Sequence, residues 1–343
     1  MSTKKVAILA AGTGGHIFPA LAVAKELQKN GVDILWIGTK SGMENKIVPE
    51  HNIEINQIDA IGVRGKNPIK VFLSIFKLFQ AFFKSYQILK KNKPDAVLGM
   101  GGYVSGIAGL AAFFRGIPII IQEQNAIPGT ANKLISKISN KVFQAFHGTF
   151  PIKLKPITSG NPVFVKTLKK AKNNSDFNLL ILGGSLGAKP INDVVIHLEN
   201  NINILHQTGD MHINSVKKSH LNKSAKVVGF IDDMSKAYQW ADIVISRAGA
   251  MTVSELMLTG TPAILIPLPH AIDNHQFYNA KILSDNGAAI LIEQKDLSAK
   301  KLNDLISNLT QEKLDSMSQN AKKLASPNAS IIISESLLEL INS

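Results

Sequence analysis

The 343-residue chain contains no cysteine, which excludes disulfides, thiolate–zinc sites and a thiol nucleophile. Long apolar runs are also missing, since no stretch reaches the ~18–20 residues that a membrane-spanning helix needs. Acidic residues are scarce in one half only: residues 1–161 hold 8 Asp and Glu against 20 Lys and Arg, whereas residues 162–343 hold 17 against 18. Of the net charge of +13, +12 therefore lies in the first half, for which an anionic membrane or a nucleic acid is the expected partner.

Short β-branched runs alternate with helical stretches along the chain, and this pattern predicts an α/β fold with parallel sheets. Strands are predicted near residues 5–10, 33–38, 53–58, 96–100, 118–122, 141–146, 177–184, 201–207, 225–230, 241–246, 261–267 and 288–293. Helices are predicted between them, for example at 17–30 and 104–115. We expect two Rossmann-like lobes, 1–161 and 162–326, joined through polar residues 166–176, with their sheets facing across a cleft.

Three glycine-rich stretches follow predicted strands and precede predicted helices: GTGGH (12–16), MGGYVSGIAG (100–109) and GGSLG (183–187). Glycines allow the backbone to approach a ligand closely, and a helix N-terminus favours an anion. No stretch completes G-x-G-x-x-G, and no acidic residue closes the second strand, so we predict no dinucleotide cofactor. A diphosphate ligand is the expectation for these loops.

GGSLG also matches the G-x-S-x-G turn of hydrolases, with Ser185, Asp273 and His275 in the chain order of a catalytic triad. A hydrolase has no use for a second lobe with its own glycine loops, so a Ser185 hydroxyl that donates to a diphosphate is the preferred interpretation. The spacing around Asp273 and His275 fits no zinc pattern, and no metal site is predicted.

Two further motifs allow more than one interpretation. Thr252 and Glu255 form T-x-x-E, which predicts a capping box, and the same carboxylate is suited to accept from a ribose diol. Arg247 is expected to face a phosphate or a neighbouring acid.

His16 begins a predicted helix, where the helix dipole favours a neutral imidazole able to accept a proton. A histidine bonded to local backbone remains the alternative.

Residues 62–93 carry eight basic residues and no acid around a Phe-rich predicted helix. The aromatic side chains fall on one side and a stripe of lysines on another. Central lysines would cost roughly 2.5–3.5 kcal/mol each inside a bilayer, so the helix should not span one. It is expected to lie on anionic lipid rather than nucleic acid, because no polar base-reading residues interleave with the lysines. The membrane-binding candidates are Lys70, Phe72, Phe76, Lys77, Phe79, Phe83 and Lys84.

Eight stretches together resemble the MurG family of peptidoglycan N-acetylglucosaminyltransferases: GTGGHIFPA, GGYVSG, EQNAIPG, SGNPV, GGSLGA, FIDDM, SRAGAMTVSE and DNHQFYNA. They occur in the family's order and span essentially the whole chain. The resemblance implies a GT-B fold in which segment 327–343 packs on the first, acceptor- and membrane-side lobe, while the second lobe binds UDP-GlcNAc. It implies inverting, metal-independent transfer of GlcNAc to the MurNAc 4-hydroxyl of lipid I, giving lipid II at the cytoplasmic face of the bacterial inner membrane. Cell-wall synthesis and division proteins are the implied protein partners.

Carried over residue by residue, the resemblance gives His16 and Glu123 as the two catalytic candidates. The implied substrate contacts are Thr13, Gly14, Gly15, Asn125, Lys166, Ser185, Ile231 through its backbone at the uracil, Ala250, Met251, Thr252, Val253, Ser254, Glu255 and Gln276. The family commonly has an arginine where this chain has Phe164, so either Lys166 supplies a point charge or the loop amides carry the phosphate.

Two other functions fit parts of the pattern. A UDP-GlcNAc 2-epimerase on the same fold would have no use for the Phe- and Lys-rich helix. A basic binding module without enzymatic activity would not need the EQN and TVSE stretches.

Overall fold

The computed structural model describes residues 3–59, 68–168, 177–184, 187–198, 202–222, 224–269 and 271–342. The chain divides into two compact units. The first lobe comprises Met1–Phe164 and Ser326–Ser343, and the second lobe comprises Val165–Ala325. Most of the predicted linker, residues 169–176, lies outside the described residues.

The first lobe contains a parallel sheet of order β3-β2-β1-β4-β5-β6-β7. Its strands are β1 (Lys5–Leu9), β2 (Asp33–Thr39), β3 (Ile55–Ile58), β4 (Ala96–Gly99), β5 (Ile119–Glu123), β6 (Lys141–Gln144) and β7 (Ile157–Thr158). Its helices are α1 (Gly14–Lys29), α2 (Glu44–Ile47), α3 (Pro68–Asn92), α4 (Gly102–Phe114), α5 (Thr130–Ile135) and α13 (Ala329–Asn342).

Both faces of this sheet are covered, which explains why its strands are apolar runs rather than alternating ones. One face packs against α1 and α13, where Leu21 and Leu337 belong to the same buried cluster. The other face packs against α3 and α4 through residues such as Leu89 and Ala108. The C-terminal helix is thus part of the core of the first lobe.

The second lobe repeats the scheme with a parallel sheet of order β10-β9-β8-β11-β12-β13. Its strands are β8 (Asn178–Leu182), β9 (Asn203–Gln207), β10 (Lys226–Val228), β11 (Ile243–Ser246), β12 (Ala263–Leu265) and β13 (Ala289–Leu291). Its helices are α6 (Lys189–Val195), α7 (Ile213–Ser219), α8 (Met234–Trp240), α9 (Ala250–Thr259), α10 (His275–Asp285), α11 (Ala299–Ser307) and α12 (Gln311–Lys323).

The predicted class, α/β with two parallel-sheet Rossmann-like lobes, is confirmed, and every predicted strand is present. The sequence analysis missed β7, which is two residues long and exposed, so it carries no apolar signal. The predicted capping box is wrong. Helix α9 begins after Gly249, which makes no side-chain cap, so Thr252 and Glu255 lie within the helix.

In each sheet the strand order reverses beside the first strand of the lobe. β1 lies between β2 and β4, and β8 lies between β9 and β11. Ligands of such sheets bind at the carboxyl ends of the strands at this reversal point. The loops that leave β1 and β4 in the first lobe, and β8 and β11 in the second, are therefore the places to look for function.

Candidate active site

His16 lies in the first turn of α1, directly after the glycine loop that follows β1. Its Nδ1 is 2.8 Å from Oε1 of Gln124. The loop after β4 packs beside the imidazole: a Cβ on Gly101 would lie 3.0 Å from ring atom Cε1, and one on Gly102 would lie 3.8 Å from Nε2. Both glycines have positive φ, which side chains disfavour. Two glycine loops thus meet at one histidine, with Gly101 against Cε1 and Gly102 beside the Cδ2–Nε2 edge of the ring.

Glu123, the other catalytic candidate, is buried at the end of β5 and accepts four hydrogen bonds. Its Oε1 accepts from the backbone N–H and the side-chain Nδ2 of Asn125, at 3.0 and 3.1 Å. Its Oε2 accepts from Gly129 N and Asn132 Nδ2, at 3.0 and 2.9 Å. The carboxylate therefore organises the EQNAIPG segment, and its oxygens are occupied by loop donors.

Glu44 is a buried carboxylate that the sequence analysis missed. It accepts from Gly12 N at 3.0 Å and from both the N–H and the hydroxyl of Thr39 at 2.7 Å. A Cβ on Gly42 would lie 2.0 Å from its Oε2, so that glycine makes room for the carboxylate. Glu44 therefore fastens the loop that carries Thr13, Gly14 and Gly15 to the end of β2.

The second lobe has a cavity of about 380 Å³ at the carboxyl ends of β8 and β12. It is lined by Gly183, Gly187, Ala188, Lys189, Pro190, Arg247, Leu268, Pro269 and Gln294. Arg247 does not meet an acid: it donates to the carbonyls of Ile266 and Pro267 and to Gln294 Oε1. Ser185 lies outside the described residues, although the glycines on either side of it line or border this cavity.

Helix α9 begins at the carboxyl edge of the second sheet and contains six of the predicted substrate contacts. These are Ala250, Met251, Thr252, Val253, Ser254 and Glu255, of which Ala250, Val253 and Ser254 are buried. Burial raises the pKa of Glu255 to about 7, while a hydrogen bond from the Tyr238 hydroxyl, 2.8 Å from Oε2, opposes that shift. Tyr238 itself is buried, so the position of the carboxylate is defined by its neighbour on α8.

The remaining predicted contacts of the second lobe have protein partners. The Ile231 N–H donates to Gln207 Oε1 at 3.1 Å, and Gln276 Oε1 accepts from Leu268 N at 2.9 Å. Lys166 is exposed, and its backbone N–H donates to Ser235 Oγ. A ligand that uses the Ile231 N–H has to displace the Gln207 side chain, a competition that residue types alone do not reveal.

Phe164, which stands where the family commonly has an arginine, belongs to the first lobe. It is 42% exposed, and the Lys25 ammonium lies 4.7 Å from its ring centroid. The aromatic side chain therefore sits beneath a cation supplied by α1.

Only some of the aromatic side chains of helix α3 pack on the sheet. Phe82 and Tyr86 pack against the core, and the Phe82 ring meets the Phe114 ring of α4 edge to face at 5.9 Å. Three other rings point outward: Phe76, Phe79 and Phe83 are 56%, 60% and 60% exposed. Lys77 and Lys84 are exposed beside them, whereas the side chains of Lys70 and Phe72 lie outside the described set. Among the described residues, no helix combines the length and apolar content needed to cross a bilayer.

Comparison with known proteins identifies the two lobes separately. The N-terminal domain of glycosyltransferase family 28 matches residues 6–144, and the C-terminal domain of that family matches residues 178–335. The first match lies within the first lobe, and the second covers most of the second lobe and continues to residue 335 in the C-terminal segment of the first. The first lobe is therefore similar to the N-terminal domain of that family, and the second lobe to its C-terminal domain.

Two curated relatives carry the name UDP-N-acetylglucosamine--N-acetylmuramyl-(pentapeptide) pyrophosphoryl-undecaprenol N-acetylglucosamine transferase. The one from Vesicomyosocius okutanii subsp. Calyptogena okutanii (strain HA) is 53% identical over 96% of both chains. The one from Coxiella burnetii (strain Dugway 5J108-111) is 42% identical over 95% of both chains. The crystal structure of Acinetobacter baumannii MurG is 39% identical, covers 98% of this chain and 99% of its own, and superposes with a TM-score of 0.84.

Proposed function

The chain belongs to glycosyltransferase family 28, and on that premise we propose that it transfers N-acetylglucosamine from UDP-GlcNAc to the MurNAc 4-hydroxyl of lipid I. The product is lipid II, a precursor of peptidoglycan, which links the enzyme to cell-wall biogenesis, cell shape and cell division. We propose that the transfer inverts the sugar anomer and needs neither a metal nor a cofactor. The observation that carries the proposal is the meeting of two glycine loops at His16, within a chain whose relatives bear this transferase name.

Acceptor activation is assigned to His16 rather than to Glu123. A general base needs a free lone pair directed at the proton that it removes. The oxygens of Glu123 accept three hydrogen bonds from its own loop and one from Asn132 of α5, so recruiting it would disrupt that loop. In His16, Nδ1 is paired with Gln124 Oε1, and no partner meets Nε2 among the described residues, so Nε2 is the ring nitrogen left for the acceptor hydroxyl.

Donor binding is assigned to residues on both lobes. On the first lobe these are Thr13, Gly14, Gly15 and Asn125, and on the second Lys166, Ser185, Ile231, Ala250–Glu255 and Gln276. The amides at the start of α9 favour the negative charge that develops on departing UDP. Among the described residues, no three His, Cys, Asp or Glu side chains are grouped to hold a metal.

Attachment to the membrane is assigned to the outer face of α3. Phe76, Phe79 and Phe83 would enter the lipid, while Lys77 and Lys84 would meet anionic headgroups, at ~1 kcal/mol per lysine. Lys70 and Phe72 continue the same helix toward its start. We propose that the enzyme is peripheral on the cytoplasmic face of the bacterial inner membrane, next to its lipid-linked acceptor and to other cell-wall synthesis and division proteins.

The test is an assay with UDP-GlcNAc and a water-soluble lipid I analogue in the presence of EDTA. We expect undiminished turnover and a β-linked disaccharide, and loss of activity on chelation or an α-linked product would overturn the proposal. His16→Ala and Glu123→Gln separate the two candidate bases. His16→Ala should lower kcat at least ~100-fold, the contribution typical of general base catalysis. Glu123→Gln should retain turnover in whatever fraction folds, and the reverse result would make Glu123 the base.

A further inference from the structure

A chain of buried amide side chains ends at His16. It consists of Asn161, which follows β7, and of Gln122 and Gln124, and each of the three is at most 3% exposed. Gln122 Nε2 donates to Asn161 Oδ1 at 2.8 Å, and Gln124 Nε2 donates to Gln122 Oε1 at 2.5 Å. The last link is Gln124 Oε1, 2.8 Å from His16 Nδ1.

Backbone carbonyls fix the direction of this chain, because a carbonyl cannot exchange donor and acceptor roles. Gln124 Nε2 also donates to the backbone oxygen of Gln122 at 3.1 Å. Gln122 Nε2 in turn also faces the backbone oxygens of Glu123 and Gly160, at 3.2 and 3.4 Å. Turning either amide over would set an oxygen against these oxygens in a buried site, where an unpaired polar atom costs about 1–3 kcal/mol.

The direction of the chain determines the tautomer of the histidine. Since Gln124 presents Oε1, the imidazole must present a donor at Nδ1, and a neutral ring that carries its proton on Nδ1 has a bare lone pair on Nε2. Nε2 also lies on the ring edge that faces Gly102, where a Cβ would be 3.7 Å from Cδ2 and 3.8 Å from Nε2. The amides are neutral, so they orient the ring without adding charge next to it.

We propose that Gln124, oriented by Gln122 and Asn161, is a positioning residue that holds His16 in the Nδ1–H tautomer and thereby makes Nε2 the proton acceptor. This inference rests on the proposed function of His16 as general base. In the step it serves, the MurNAc 4-hydroxyl proton moves to Nε2. The hydroxyl oxygen forms its bond to the anomeric carbon of GlcNAc, and the bond from that carbon to the UDP oxygen breaks, with its electron pair leaving on UDP.

The experiment is ¹⁵N NMR of the full chain with labelled histidine, combined with steady-state kinetics. In the native protein the His16 shifts should report a protonated Nδ1 and a bare Nε2. Gln124→Met keeps the length of the side chain but removes the acceptor, and it should shift His16 toward the Nε2–H form. It should lower kcat about tenfold or more, with the KM for UDP-GlcNAc unchanged, because a wrong tautomer disables the base and not the binding site.

Gln144→Met is the matched control, since Gln144 is an equally buried glutamine of the same lobe that bonds to Thr158 and Phe150 instead of His16. It should reproduce any loss of melting temperature and leave the tautomer and kcat unaltered. Gln124→Glu, a second variant, keeps an acceptor at Nδ1. It should preserve the tautomer and move the acidic limb of the pH–rate profile upward by about one pH unit, because a carboxylate stabilises the imidazolium.

An Nε2–H tautomer in the native protein, or an unchanged tautomer in folded Gln124→Met, would overturn the inference. So would a tautomer shift without any fall in kcat while His16→Ala is inactive. Full activity of His16→Ala would instead remove the proposed base and leave the NMR result for Gln124 standing, so the two failures are distinguishable.

Discussion

The double substitution Phe79→Ser, Phe83→Ser should release the enzyme from anionic vesicles without unfolding it. Each ring exposes 60% of its surface. With roughly 200 Å² per phenylalanine, that corresponds to about 120 Å² of apolar surface available for insertion into lipid. At ~25 cal/mol per Å², complete insertion is worth about 3 kcal/mol for each ring. Even half insertion of both rings gives about 3 kcal/mol, which is a ~150-fold change in partitioning.

The assay is co-sedimentation with vesicles that contain anionic lipid, at several salt concentrations, alongside thermal melting. The double variant should melt within a few degrees of the native protein, because the two rings contribute little to the core. Phe82→Ser is the contrasting variant: its ring packs against Phe114 and the core, so it should lower the melting temperature clearly. Phe230→Ser removes a ring of similar exposure, 57%, from the second lobe and should leave vesicle binding unchanged.

Lys77 and Lys84 provide the electrostatic counterpart of this test. Changing both to glutamine should weaken vesicle binding at low salt and matter less as salt screens the charges. Turnover of a short-chain, water-soluble lipid I analogue should stay the same in the double phenylalanine variant and in the double lysine variant. Vesicle binding that survives the double phenylalanine substitution, or a loss of stability equal to that of Phe82→Ser, would refute the assignment of this surface.

Two further predictions follow from titratable groups in the second lobe. Because burial raises the pKa of Glu255 to about 7, the KM for UDP-GlcNAc should fall as pH rises through about 7 and the carboxylate forms. Tyr238→Phe removes the opposing hydrogen bond and should move that midpoint to higher pH, and an unmoved midpoint would contradict the contact. Burial, aided by the His220 ring, lowers the pKa of His206 from 6.5 to about 3 in the folded protein. As pH falls below 6.5, the unfolded state therefore binds a proton at His206 that the folded state does not. The contribution of neutral His206 to the free energy of unfolding should be complete above pH 6.5 and fall by roughly 2 kcal/mol at about pH 5. In thermal melts, His206→Gln should flatten this dependence whereas the exposed His197→Gln should not.

The strands and the fold class followed directly from the sequence. Strands buried on both faces must be continuous apolar runs, and KVAIL or NLLIL followed by glycine and a helix is recognisable without a structure. The two-residue β7 carried no such signal. The start of α9 was misjudged because T-x-x-E is a local pattern, whereas the helix begins at Ala250, soon after β11 ends.

The charge excess of the first half and the presence of a basic aromatic helix were also properties of composition and period. Composition and period did not determine which aromatic rings of that helix face outward. The helix carries more apolar side chains around its circumference than the sheet and α4 can cover. Only packing decided that Phe82 and Tyr86 lie inside while Phe76, Phe79 and Phe83 lie outside.

The residue types at the candidate site came from the sequence, but the contacts that position them join distant segments. Motif matching made His16 the leading base candidate and Glu123 the second, and the structure adds that Glu123 accepts hydrogen bonds from Asn125, Gly129 and Asn132. The attachment of Glu44 to Gly12 and the link from Gln124 to His16 join residues 32 and 108 positions apart. The local sequence determines which side chains a strand and the following loop carry. Which donor meets which acceptor depends on the order in which the parallel strands assemble, and that order exists only in the folded sheet.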